Sequence, residues 1–146
     1  MDKARAEDLL PVRFVERCQF GGKPEEVWAR VSDLDNIPAY WHGTKEIKVT
    51  REGTRTSADV VFAFGGRGKA EVTVDEQRRT MTLDYFSGPF KGKQTVTVKE
   101  NAIEAEWDVV FTGAYKLLGP ANASHFRSGT RNALKRLCAD PAGGST

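Results

Sequence analysis

Residues 12–28 read VRFVERCQFGGKPEEVW, and the change of period inside this stretch decides the fold. Val12, Phe14, Cys18 and Phe20 fall on one side of an extended chain, with Arg13, Arg17 and Gln19 on the other. That alternation predicts a half-buried strand. Glu16 is the discordant residue, a carboxylate on the apolar side. Gly21-Gly22 then turns the chain, and Pro24 followed by Glu25 and Glu26 predicts a helix start. Proline needs no N–H at a first helical position, and acids favour the positive end of the helix dipole. Val27, Trp28 and Val31 give this helix its apolar face. Leu34, Ile37, Tyr40 and Trp41 follow at similar spacing, and Pro38 makes them a separate short helix or turn.

Outward from Thr44 the period returns to two. Ile47 and Val49 alternate, Glu52-Gly53 turns the chain, and Ala58, Val60, Phe62 and Phe64 share one face. Gly65-Gly66-Arg67-Gly68 reads as a hairpin, after which Ala70, Val72 and Val74 alternate with polar residues. Met81, Leu83 and Tyr85 do the same, and beyond Ser87-Gly88-Pro89 the pattern resumes with Val96 and Val98. A turn at Glu100-Asn101 leads to a last strand with Ile103, Ala105, Trp107, Val109 and Phe111 inward. Sequential strands joined by short turns predict an antiparallel meander with one solvated face. From Gly119-Pro120 the period becomes helical, with Ala123, Phe126, Thr130, Ala133, Leu134 and Leu137 on one stripe and Arg127, Arg131 and Lys135 along a flank. Asp140-Pro141 is the expected stop. The expected architecture is α+β: a curved antiparallel sheet of about seven strands wrapped around a long C-terminal helix, with two short helices after the first strand.

Length and composition fit one domain. A chain of 146 residues buries enough surface to fold without disulfides or metal. The expected domain is 1–146, with a core over 11–140 and loose ends at 1–10 and 141–146. A net charge of +2, from 22 basic and 20 acidic residues, argues against a nucleic-acid partner. Cys18 and Cys138 are expected to be reduced, half-buried thiols. His42 and His125 are the only histidines, which excludes a histidine-rich metal site, and no cofactor is expected. Met1–Leu10 has no apolar run of the kind a signal peptide carries, and no stretch approaches the roughly 20 apolar residues that span a bilayer. The expected location is cytoplasmic, without integral membrane association.

The strand Val12–Phe20, the segment Gly22-Lys23-Pro24-Glu25-Glu26-Val27-Trp28 and the trailing Val31-Ser32-Asp33 resemble the opening of the START/Bet v 1-like superfamily, the helix-grip or polyketide-cyclase-like fold. Asp35-Asn36-Ile37-Pro38-Ala39-Tyr40-Trp41 resembles its second short helix, which ends in an aromatic near the cavity mouth, and Leu134-Lys135-Arg136-Leu137 resembles the end of its long helix. By element order the likeness covers nearly the whole chain, although its motifs are short. The resemblance implies a cavity between the sheet and the long helix, used by relatives for lipids, sterols, quinones, polyketides and plant hormones.

Residue sizes point the same way. The first half of the long helix carries Ala121, Ala123, Ser124, Ser128, Gly129 and Thr130 around a single Phe126, while the second half carries Leu134 and Leu137. Small side chains opposite a curved sheet leave volume unfilled at one end, which close-packed cores avoid unless something occupies it. The expected ligand site is Trp41, Phe62, Phe64, Tyr85, Trp107, Phe111, Ala123, Phe126 and Thr130, with Glu16 as a polar anchor. For any one aromatic, plain core packing is the competing reading. For Glu16 it is a salt bridge to a nearby arginine. Tyr85 and Trp107 carry an O–H and an N–H that must find partners when buried. His42 and His125 are expected to be solvated, and the Gly65–Gly68 phrase lacks the Lys-Ser/Thr ending of a phosphate loop.

The leading expectation is binding or transport of an apolar or amphipathic small molecule (lipid, quinone, polyketide-like or aromatic), with no catalytic residue assigned. The inward polar set is thin for chemistry: Glu16, Tyr85, Thr130 and Asn122. The alternatives are a polyketide cyclase or aromatase, and a co-chaperone-like interaction module.

Overall fold

The computed structural model describes residues 12–113 and 119–139. Strand β1 (Val12–Gln19) leads into helix α1 (Pro24–Val31), a single 3-10 turn at Leu34–Asn36 and the short helix α2 (Ile37–Tyr40). Six strands follow: β2 (Thr44–Glu52), β3 (Arg55–Phe62), β4 (Arg67–Asp75), β5 (Thr80–Ser87), β6 (Phe90–Val98) and β7 (Ala102–Phe111). Helix α3 (Gly119–Ala139) closes the described chain. The sheet has seven strands in the order β1-β7-β6-β5-β4-β3-β2, and every described pairing is antiparallel. This is the helix-grip arrangement that the pattern predicts. The expected loose ends and the Asp140-Pro141 stop lie outside the described residues.

The meander makes β1 and β2 its two edges, and the helices lie across the concave face. Helix α3 packs against β1, β7, α1 and α2, so it covers one side of the sheet rather than its middle. Val27, Trp28 and Val31 bury the apolar face of α1. The Trp28 indole donates to Glu76 Oε1 at 2.7 Å, and the Arg30 guanidinium donates to the Leu137 carbonyl oxygen at 2.7 and 3.2 Å. These bonds fasten α1 between the β4–β5 turn and the last turn of α3. Ala133, Leu134 and Leu137 are fully buried there, with Val98 and Ile103 among the strand residues of the same core.

Two strand boundaries differ from the expected ones. Strand β3 ends at Phe62, and Phe64 lies in the turn with half its surface exposed. The Gly65 N–H bonds the Phe62 carbonyl at 2.9 Å, and the Phe62 N–H bonds the Gly66 carbonyl at 2.8 Å. That reverses the chain two residues before the apolar alternation runs out; Gly65, at φ +109°, takes the left-handed conformation the reversal needs. Arg67 and Gly68 consequently belong to β4. Strand β6 begins at Phe90, six residues before the expected Val96, and brings Phe90 and Gln94 onto the buried face. Gly92 interrupts that alternation at φ +131°, where a Cβ atom would meet the Val109 Cα at 2.8 Å.

Candidate functional site

A cavity of about 520 Å³ lies between the inner face of β3–β7 and the middle of α3. Its floor is Val60, Met81, Leu83 and the aromatic rings of Phe62, Tyr85, Phe90 and Trp107, with Phe126 reaching down from the helix. Its position follows from the asymmetric seat of α3. The helix rests on β1 and β7, and the side it turns toward β3–β5 is built from Ser128, Gly129, Thr130 and Asn132. A Cβ added at Gly129 would have nothing within 4 Å. The mouth is framed by Gly43, Ala63 and Phe64 on the sheet side, and by His125, Ser128 and Asn132 on the helix side; all six are exposed.

The rings form a connected cluster with Phe90 near its centre. Phe90 lies 4.9–6.0 Å, centroid to centroid, from Phe62, Tyr85, Trp107, Phe111 and Phe126. Most of these pairs are edge-on, the arrangement that aligns ring edges with ring faces. Tyr85 and Trp107 instead lie nearly parallel, 10° apart with centroids 6.3 Å apart. At the mouth Phe64 stacks on Phe62 at 5.4 Å and 2°.

Seven of the ten expected site residues line this one cavity: Trp41, Phe62, Phe64, Tyr85, Trp107, Phe126 and Thr130. Phe64 does so from the turn, as part of the mouth, rather than from a strand wall. The other three do not line it. Phe111 is buried behind the cavity against Phe90 and Phe126, and Ala123 packs, half-buried, against the core. Glu16 sits on the inner face of the edge strand β1, where the flank of α3 crosses it. Arg131 donates to both its carboxylate oxygens, at 3.1 and 3.3 Å, and Arg127 approaches at 3.5 Å. The carboxylate is therefore engaged by two guanidinium groups rather than offered to a ligand, and Arg127 also covers the Phe14 ring at 5.1 Å.

The polar groups deep in the site are neutral. Tyr85, Gln94, Trp107 and Thr130 line the cavity and are each more than nine-tenths buried. The Trp107 Nε1 has no hydrogen-bond partner among the described residues. Burial alone pushes the Tyr85 phenol above its ordinary range, so it stays protonated at physiological pH. Asn122, the remaining inward polar candidate, has a side chain outside the described residues. His125, expected to be solvated, is exposed and also part of the mouth. His42 points back to the Ala39 carbonyl at 3.2 Å. Among the described residues no cluster of His, Cys, Asp and Glu is arranged to hold a metal, and no helix is long and apolar enough to cross a membrane.

Phe90 and Gln94 are buried wall residues that sequence reasoning did not place on an inward face, whereas Val60, Met81 and Leu83 were read as inward but left out of the expected site. The signal was present: Phe90, Gln94, Val96 and Val98 keep one parity, broken only by Gly92. A glutamine at an inward position looks like the end of a strand until its neighbours are known to be apolar.

The Cys18 and Cys138 thiols lie together at the far end of the domain, both half-buried. Cys138 Sγ donates to the Cys18 carbonyl at 3.4 Å, and burial pushes its pKa up to about 12.

Solved structures of the same shape carry varied names. The Thermus thermophilus protein TTHA0849 superposes with a TM-score of 0.76 at 19% identity, covering 92% of this chain and 99% of its own. The Zhui aromatase/cyclase of Streptomyces sp. R1128 gives 0.68 at 13% identity, over 90% and 98%. Truncated norcoclaurine synthase of Thalictrum flavum gives 0.67 at 14% identity, over 96% and 99%. At such identities these likenesses establish the fold. Among curated proteins no sequence matches this chain. The family profile described as polyketide cyclase/dehydrase and lipid transport does match, over residues 11–140, and the chain belongs to that family.

Proposed function

We propose that this protein binds or carries an apolar or amphipathic small molecule in the cavity between the sheet and α3. The observation that carries this reading is the cavity itself. A space of about 520 Å³, walled by Phe62, Tyr85, Phe90, Trp107 and Phe126, is of the size that takes a drug-sized ligand. Holding so much apolar surface apart forfeits packing that a closed core would gain, which makes sense if a ligand supplies the missing contacts. Binding is favoured over a cyclase-type reaction by the chemistry of the walls. The deep polar groups are a phenol held above its ordinary pKa, a carboxamide, an indole and a hydroxyl, none of which exchanges protons readily near neutral pH.

The test is titration with Nile red, a neutral apolar dye, followed by its fluorescence. The native protein should take up the dye saturably at one site. Gly129→Trp should abolish uptake while leaving the far-ultraviolet circular dichroism unchanged, because residue 129 faces open space at the cavity wall. Uptake that survives in Gly129→Trp places the dye elsewhere and sinks the reading.

A further inference from the structure

The two cysteines of this chain meet although they stand 120 residues apart. Cys18 is on the inner face of the edge strand β1, directly opposite Ile103 of β7. Cys138 is in the last turn of α3, the helix that packs across that edge. Both side chains are half-buried against the core, and neither is bridged. The Cys138 thiol donates to the Cys18 carbonyl at 3.4 Å. The Cys18 thiol, the Arg30 guanidinium and the Ile103 N–H also lie close enough to act on it.

A reduced cysteine packs as a small apolar side chain, a part that alanine or valine also fills. What a thiol pair adds is chemistry: two thiols can be joined when their Cα atoms lie within about 7 Å. A sulfur that already reaches the main chain of Cys18 and lies beside its thiol leaves little backbone movement for a bridge to demand. The two thiols are not equivalent. The Cys18 contact, with the Gln19 carbonyl at 3.8 Å, faces solvent, whereas that of Cys138 is partly covered. Burial, and then the neighbouring Cys18 thiol, hold the Cys138 pKa at about 12, against the pull of Arg30 and the Ile103 N–H. Since only a thiolate attacks a disulfide, Cys18 is the attacking thiol and Cys138 the resolving one.

We propose that Cys18 and Cys138 form a reversible redox site, which latches β1 to the end of α3 by thiol–disulfide exchange with a small disulfide of the glutathione class. The Cys18 thiolate attacks one sulfur of the small disulfide, forming a mixed disulfide at Cys18 and expelling one small thiolate. That capping removes the Cys18 thiol from beside Cys138, and Arg30 and the Ile103 N–H then favour the second thiolate. Cys138 attacks the Cys18 sulfur and expels the other small thiolate. In sum, two protein thiols lose two electrons and two protons, and one small disulfide becomes two small thiols. The closed loop runs from the first strand to the last helical turn, so it constrains the unfolded chain strongly. The site lies away from the cavity and stands whether or not the cavity binds a ligand.

The test is to incubate the native protein with oxidised glutathione, without denaturant, quench it with N-ethylmaleimide and weigh it intact by mass spectrometry. It should lose about two mass units, take up no maleimide and carry no glutathione, and its unreduced peptide map should join Cys18 to Cys138. The oxidised protein should melt roughly 5–15 °C above the reduced one, the range a loop this long gives a domain of this size, and dithiothreitol should reverse both changes. Cys138→Ser should stop at a glutathione adduct on Cys18. Cys18→Ser should react at least about tenfold more slowly, because burial still holds Cys138 protonated. Two alkylated thiols, two separate glutathione adducts or a covalent dimer would each show that the thiols do not face one another, and overturn the proposal. A bridge that forms with no rise in melting temperature would mean that the seam must distort to accept it, which also overturns it. Capping of Cys138 ahead of Cys18 overturns the assigned roles. None of these outcomes bears on the cavity, which Nile red tests separately.

Discussion

The two ends of the same core are built to opposite rules. At one end α1 is wedged between the β4–β5 turn and the last turn of α3, where Val27, Trp28, Val31, Leu134 and Leu137 are packed against one another and the strands. Polar atoms there are paired: the Trp28 indole with Glu76, the Arg30 guanidinium with the Leu137 carbonyl, and the Cys138 thiol with the Cys18 carbonyl. At the other end α3 presents Ser128, Gly129 and Thr130 to the sheet, leaves about 520 Å³ open, and surrounds it with rings and the unpaired Trp107 N–H. The closed end is packed for stability, and the open end is where the proposed ligand would sit.

Making the same substitution at both ends would break this comparison most directly. Leu134→Ala removes a fully buried side chain from the closed end, and Leu83→Ala removes one from the cavity wall. The first should cost about 4 kcal/mol and the second about 2.5 kcal/mol in urea unfolding, since atoms that already border open space lose fewer contacts and add less new cavity. Equal costs would mean that the cavity wall is as tightly packed as the rest.

Alkaline titration is a smaller test, aimed at the open end. Burial holds the Tyr85 phenol neutral above the pH at which it ionises in the unfolded chain. Its contribution is fully present below about pH 10. Above that, the unfolded state releases a proton that the native state keeps, so stability falls, by up to about 1.4 kcal/mol per pH unit. Tyr85→Phe should flatten this limb of the stability–pH curve relative to the native protein, measured by urea unfolding between pH 9 and 11. Superimposable slopes would place the hydroxyl in contact with water.

The smallest expected effect sharpens the comparison instead. Gly129→Ala should raise stability by about 0.5–1 kcal/mol, because alanine is the better helix former and its Cβ has no neighbour to displace. Nile red should still bind. A loss of stability in thermal unfolding would mean that this part of α3 is closer to the sheet than 4 Å of clear space allows.

Much of this organisation was legible in the sequence, and the reason differs by feature. The strand and helix order follows from period alone, as in the alternation of Ile103, Ala105, Trp107, Val109 and Phe111, and the helical stripe from Phe126 to Leu137. The end at which the core opens was also legible, in the small residues at 128–130 of α3. The wall was less so. Phe64 keeps the parity of β3, yet a glycine turn takes it out of the strand. Gln94 is polar by type and becomes a site residue only because its cross-strand partners are Leu83 and Trp107.

The sequence by itself determined the elements, their order and the faces they bury, because those depend on side-chain periodicity over a few neighbouring residues. Only the tertiary structure decided which inward side chains touch one another and which border space. The partners of Glu16 stand as far as 115 residues along the chain, on a helix whose seat at the β1–β7 side no local pattern encodes. That seat turns an apparent anchor into an ion pair at the seam, and leaves Tyr85, Gln94 and Trp107 facing a cavity. A void is a relation between surfaces brought together by folding, and no residue carries it alone.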